Sequence, residues 1–158
     1  MNTNNSNNNS CVKEELIPWQ PTKSLKGNNT YDFNMIEMER HNDYLKISFE
    51  DHYGNIVDVF YRDLNNLCPL EYCVWAFRYS TELGSIHLNN RDIKGVNVDQ
   101  DSVCFYKAKN SVYVSEFDEN PIANKVVFPE VEHHLFITGD EIFEVIANYE
   151  PEFVERKK

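Results

Sequence analysis

Apolar and polar positions alternate with a period of two in several stretches of this chain. Leu45, Ile47 and Phe49 fall on one side of the backbone and Lys46, Ser48 and Glu50 on the other, the pattern of a half-buried strand. Asp51-His52-Tyr53-Gly54-Asn55 interrupts it, and Val57, Val59 and Tyr61 resume one face. Two such runs around a turn cluster predict a hairpin, with Gly54 taking the positive φ that a side chain would resist. A weaker alternation runs from Tyr31, with Phe33, Met35 and Glu37 against Asp32, Asn34 and Ile36. Residues 62–70, with Asn65-Asn66 and Pro69, predict a loop. Tyr72 to Tyr79 is almost continuously apolar and aromatic, which predicts a strand buried on both faces at the centre of a sheet. Ser80 to Gly84 ends it.

Later stretches are mixed. Asn89, Asn90 and Gly95 break any period between 85 and 102, whereas Val103 to Lys107 predicts a strand. Residues 110–118 fit either a strand through Val112 and Val114 or a short helix capped by Ser111. His134–Thr138 and Ile142–Ala147, split by Gly139-Asp140-Glu141, predict a last hairpin, and Pro151 is expected to end regular structure. The fold class is therefore mainly β, with α+β as the variant: an antiparallel sandwich or curled half-barrel of about six to eight strands with one or two short helices.

Composition changes this picture at the N-terminus. Six of the first ten residues are asparagine, with no apolar surface to offset the entropy of ordering them. Residues 1–15 are expected to be a disordered tail and 16–158 a single β-rich domain. Trp19, between Pro18 and Pro21, either pins this segment to the body or serves as a recognition element. No run approaches the roughly 20 apolar residues of a membrane span. No basic region followed by an apolar stretch marks a signal peptide. The expected location is the cytoplasm, where Cys11, Cys68, Cys73 and Cys104 would be buried free thiols and Asn4, Asn8 and Asn28 would not be glycosylated.

The formal charge is −11, and from Glu116 to Glu155 eleven carboxylates face one lysine, Lys125, a balance of −10. Phosphate contacts need Lys and Arg, so direct nucleic-acid binding is disfavoured, and a basic protein partner is favoured. Glu130, Glu132, Asp140, Glu141, Glu144 and Glu150, with Tyr149 as an anchor, are the candidate binding residues; the plain alternative is that the charge serves solubility.

No catalytic motif emerges. The glycines at 27, 54, 84, 95 and 139 are too scattered for a phosphate-cradling loop, and no serine sits in a nucleophile elbow. Cys68 and Cys73 are separated by four residues where zinc and redox motifs use two. Glu132-His133-His134 is the compact imidazole–carboxylate group. On a strand it would place Glu132 and His134 on one face and His133 on the other. It reads as a core strand beside acids, or as a metal half-site completed by His87 or His52. Arg78 is expected to pair with Glu82, or to hold a phosphate or carboxylate ligand. No catalytic residue, metal or cofactor is assigned.

Val74-Trp75-Ala76-Phe77-Arg78, Phe105-Tyr106-Lys107, His134-Leu135-Phe136-Ile137 and Glu144 to Pro151 resemble small proteins of Gram-positive bacteria. Some of these are thought to be immunity proteins that neutralise a toxin. The resemblance implies a β-rich fold and a binding role, and carries no catalytic residues over. The rich use of Asn, Lys and Ile fits a phage protein equally. The leading expectation is a non-enzymatic immunity or inhibitor protein acting on a basic, toxin-like partner. The alternatives are a phage or bacterial assembly module and a small enzyme with a scattered site around His133, His134 and Arg78.

Overall fold

The computed structural model describes residues 12–25, 32–81, 83–84, 92–93 and 105–157. Among these residues there are ten strands, β1 (Glu15–Pro18), β2 (Phe33–Arg40), β3 (Leu45–Asp51), β4 (Asn55–Tyr61), β5 (Ala76–Thr81), β6 (Asp92–Ile93), β7 (Phe105–Lys109), β8 (Glu132–Ile137), β9 (Glu141–Ala147) and β10 (Glu152–Lys157), and one short helix, α1 (Val112–Ser115), between β7 and β8. They form a six-stranded sheet in the order β5-β9-β8-β7-β1-β6 and a four-stranded sheet in the order β10-β4-β3-β2. Every pairing is antiparallel except the short parallel contact of β1 with β6. The fold is mainly β, and the sheets do not close into a barrel. Among the described residues no helix is long and apolar enough to cross a membrane.

The β3–β4 hairpin follows from its alternation. Leu45, Ile47, Phe49, Val57, Val59 and Tyr61 are fully buried on the inner face. Gly54 takes φ 75° in the turn, and the Asp51 carboxylate accepts the N–H groups of Tyr53 and Asn55 across it. Phe49 then meets Phe105 and Phe136 of the facing sheet at ring-centre distances of 5.2 and 5.5 Å, which closes the sandwich. The β8–β9 hairpin also forms where the two apolar runs predict it.

Three expectations are corrected. Tyr72 to Tyr79 is not one central strand. Residues 72–75 follow a bent path, and β5 begins only at Ala76 and pairs with β9 alone, at the edge of the larger sheet. The apolar run is buried by its bends instead. Val74 enters the core between the sheets, and Trp75 joins a second cluster on the outer face. Trp75 N–H bonds the Ile146 carbonyl, and its ring nitrogen bonds Asn148 Oδ1. Pro151 does not end regular structure, because β10 starts at the next residue and pairs with β4; a proline lacks only its own N–H and is tolerated just before an edge strand. At the N-terminus, Glu15 opens β1 and Glu14 is buried, so part of the expected tail belongs to the body.

Residues 110–118 resolve to the helix. Ser111 is its N-cap and accepts the Val114 N–H, a local bond that outweighs the β preference of two valines. This helix and the turns after it cap the outer face of the larger sheet. Tyr113, Val114 and Ala123 pack on Trp75 and Ile146, flanked by Phe117, Phe128 and Val131. Cys68 and Cys73 are buried free thiols; Cys11 and Cys104 lie outside the described residues.

Candidate functional site

Strand alternation sends the two adjacent histidines of β8 to opposite faces. His134 points between the sheets. Its Nδ1 lies 2.7 Å from the Tyr61 hydroxyl and its Nε2 2.9 Å from Glu132. Lys107 bonds Glu132 at 2.9 Å and Glu150 at 2.5 Å. Trp19 stacks on the His134 ring at 4.7 Å and lies under the Lys107 ammonium, and its backbone N–H donates to the Phe105 carbonyl. Trp19 is thus pinned to the body. Burial holds the His134 pKa below its ordinary value, against the opposing pull of Glu132, and pushes Tyr61 well above the usual phenol range. The bonds from His134 and Lys107 keep Glu132 below the ordinary carboxylate value despite burial. A neutral imidazole therefore accepts from the phenol and donates to a carboxylate.

His133 points to the outer face and repeats the arrangement. Ser111 Oγ lies 2.7 Å from its Nδ1, and its Nε2 is 3.0 Å from Glu144. Glu144 is held at both oxygens by Arg78, at 2.6 and 3.1 Å, and Arg78 lies 3.9 Å over the Tyr113 ring. The partner of Arg78 in the described residues is therefore Glu144, with Glu116 at 3.9 Å; Glu82 and His87 lie outside them. His52 faces Asp32 at 3.5 Å, away from Glu132 and His134. Among the described residues no group of three or more His, Cys, Asp or Glu side chains is placed to hold a metal ion.

A hydroxyl, an imidazole and a carboxylate in line are the parts of an acyl-transfer relay, and Ser111, His133 and Glu144 stand in that order. Two features tie them into the fold. Ser111 Oγ is engaged as the helix cap. The neighbouring Val112 N–H is given to the Glu14 carboxylate at 2.7 Å. A carboxylate at that point opposes the negative charge that the transition state would build. The relay ties α1, β8, β9 and β5 together.

The candidate binding residues separate into two groups. Glu130, Asp140 and Glu150 are exposed. Glu132 is half-buried and bonded to His134 and Lys107, Glu141 accepts the Tyr79 hydroxyl, and Tyr149 donates its hydroxyl to the Cys73 carbonyl. Glu144 is a correction: its side chain is 2% exposed and chelated by Arg78, so it cannot touch a partner. Lys107 brings Glu132 and Glu150 together.

The alternation of apolar residues did not reveal a surface on α1 and the segment after it. Val112, Ile122, Val126 and Val127 are exposed by 64, 57, 86 and 57%, beside Glu116, Asp118, Glu119 and Glu130. The segment is held firmly. Asn120 Oδ1 accepts the N–H groups of Ile122 and Ala123, and Asn124 Oδ1 those of Val126 and Val127. Asn124 also donates to the Asn120 carbonyl. Ala123 is fully buried, and Phe117 and Phe128 pack on Trp75 with ring centres 5.5 and 5.8 Å apart. The sequence signal for it was the Asn120-Pro121 turn dipeptide followed by Ile122 and the paired valines at 126 and 127.

No family model, curated protein or solved structure matches this chain.

Proposed function

We propose that this chain is a non-enzymatic binding protein, an inhibitor or immunity protein of the cytoplasm, that neutralises a basic protein partner through the segment 112–130 and the carboxylates around it. The observation that carries this reading is the set of exposed aliphatics fixed on a rigid, acidic segment. Side chains held out in water by a preorganised backbone lose little entropy on docking, and apolar anchors inside a polar rim are the usual anatomy of a protein interface. The carboxylates at 116, 118, 119 and 130 supply that rim, and Lys125 is tied to Asp118 at 3.0 Å, which leaves the rim negative. The enzyme alternative loses ground because both imidazoles are buried and bonded at each nitrogen. The assembly alternative loses ground at β2, an edge strand with a bulge between Met35 and Glu37 and with Glu37 and Glu39 along it. Such features discourage strand-to-strand growth.

The test is affinity capture from extracts of the source cell on three immobilised proteins. These are the wild type, Val126→Asp/Val127→Asp, and Glu116→Gln/Glu119→Gln/Glu130→Gln. The reading expects a basic protein retained by the wild type, lost from the valine-to-aspartate variant and captured more slowly by the glutamine variant. A partner retained equally by all three would overturn it.

A further inference from the structure

A second set of exposed apolar side chains stands in the loop after β4, beside the β2–β3 turn. Leu64 and Leu67 are exposed by 76 and 46%. Their turn is held in place. The Asp63 carboxylate accepts the N–H groups of Leu67 and Cys68, and the Asp63 carbonyl accepts that of Asn66. The Asn148 amide donates to the Leu67 carbonyl. Asp63 and Asn66 take φ 49° and 51°, a left-handed conformation that Asp and Asn tolerate better than other side chains. Leu64 borders a cavity of about 420 Å³, lined also by Asp43, Tyr44, Phe60 and Arg62. The Tyr44 and Phe60 rings meet edge to face at 5.8 Å, and the Arg62 guanidinium lies 4.1 Å over the Phe60 ring.

This cavity carries one carboxylate and one guanidinium, and neither is spent. The Asp43 side chain is exposed, and the imidazole beside it, His41 Nδ1 at 3.6 Å, accepts the Asp43 N–H and has no proton there to give. Arg62 stands 3.8 Å from Glu152, beyond hydrogen-bond range. A two-fold interface is isologous, so each copy must present both halves of every contact. One patch here holds a projecting leucine and an aromatic hollow, an anion and a cation. Charge also favours a second copy at this place. Two chains of −11 repel each other, and the segment 112–130, with Glu116, Asp118, Glu119 and Glu130 against Lys125, would oppose its own copy. The lining of the Tyr44 cavity is balanced. We infer that this patch is a two-fold dimer interface. Leu64 of each copy fills the cavity of the other, and Asp43 of each pairs with Arg62 of the other. So small a patch belongs with the weak interfaces, and the dimer exchanges with monomer. The inference does not rest on the proposed binding role, whose segment it leaves uncovered.

The test is sedimentation velocity on the full chain between about 1 μM and 1 mM. The wild type should pass from monomer to dimer across this range. Asp43→Arg and Arg62→Asp each set like charges against one another twice across the axis, and each should weaken self-association by about tenfold or more. An equimolar mixture of these two variants should recover the dimer, because each supplies the charge that the other lacks. That recovery also shows that both variants fold. Leu64→Asp should leave only monomer. If Arg62→Asp does not fold, Asp43→Arg and Leu64→Asp, both at exposed positions, decide. A wild type that stays monomeric to about 1 mM would overturn the interface and leave the cavity to another occupant. A dimer indifferent to Asp43→Arg or to Leu64→Asp, or a mixture of the two charge variants that stays monomeric, would overturn it as well.

Discussion

His134 has no exposed side-chain surface and a hydrogen bond at each ring nitrogen, so protonating it forces the Tyr61 hydroxyl to give up its acceptor. Burial keeps its pKa in the folded protein below the ordinary value of 6.5. The unfolded chain therefore takes up a proton near pH 6.5 that the folded chain refuses. By linkage, this contribution to stability is complete above that pH and falls away as the pH drops towards the folded pKa. Urea titrations between about pH 7 and pH 5 should show declining stability, and His134→Gln should flatten the slope whatever it does to the absolute value. Glu144 makes a second residue-scale prediction. Removing it strands Arg78 and leaves His133 Nε2 without an acceptor. Breaking a buried pair costs about 3–5 kcal/mol. Arg78 is one-third exposed, so Glu144→Ala should fall at or below the lower end of that range by urea denaturation. A change near zero would mean that the His133 relay does not hold the outer face.

At the scale of elements, the cap over the larger sheet hangs on Trp75. Phe117, Phe128, Ala123 and Tyr113 are gathered around it, so Trp75→Ala should cost about 3–5 kcal/mol, as for other large aromatic truncations in cores. Asn124 organises the exposed turn rather than the core. Asn124→Ala leaves two N–H groups to water and should cost only about 1 kcal/mol in stability, yet faster amide exchange at Val126 and Val127 should report that the turn has loosened. The sequence made the β3–β4 hairpin legible because one face of each strand carries the apolar core, and such a strand writes its register as alternation; β8 and β9 are buried on both faces and were legible as apolar runs split by Gly139-Asp140-Glu141. It misled at 72–75, because a bent segment touching two clusters produces the same unbroken apolar run as a strand buried on both faces. It left residues 110–118 undecided because a single cap bond from Ser111 chose between two states of similar propensity. Pro151 misled for a related reason: a proline interrupts a ladder only where its N–H is wanted.

For the molecule as a whole, the acid-rich stretch was legible as charge but not as a surface. Counting carboxylates from 116 to 155 could not tell that Glu144 faces Arg78, that Glu132 and Glu150 share Lys107, or that Glu141 holds Tyr79. These pairings are made between strands distant in sequence. The residues that remain exposed, around Val112, Ile122, Val126 and Val127, concentrate the proposed interface on one capping segment. Its two chemistries should act on different rates. Carboxylates at a rim steer encounter, so neutralising Glu116, Glu119 and Glu130 should slow association, most of all at low salt, since the Debye length shrinks from about 30 Å at 0.01 M to about 10 Å at 0.1 M. Aliphatic anchors hold the bound state, so truncating them should speed dissociation. The central claim is tested most directly by the dissociation and association rates of the captured basic partner from wild type, Val126→Ala/Val127→Ala and the Glu→Gln triple variant, at both salt concentrations. The account predicts a faster off-rate for the valine variant and a slower, less salt-dependent on-rate for the glutamine variant. Rates identical to wild type in both variants, with the partner still bound, would contradict it.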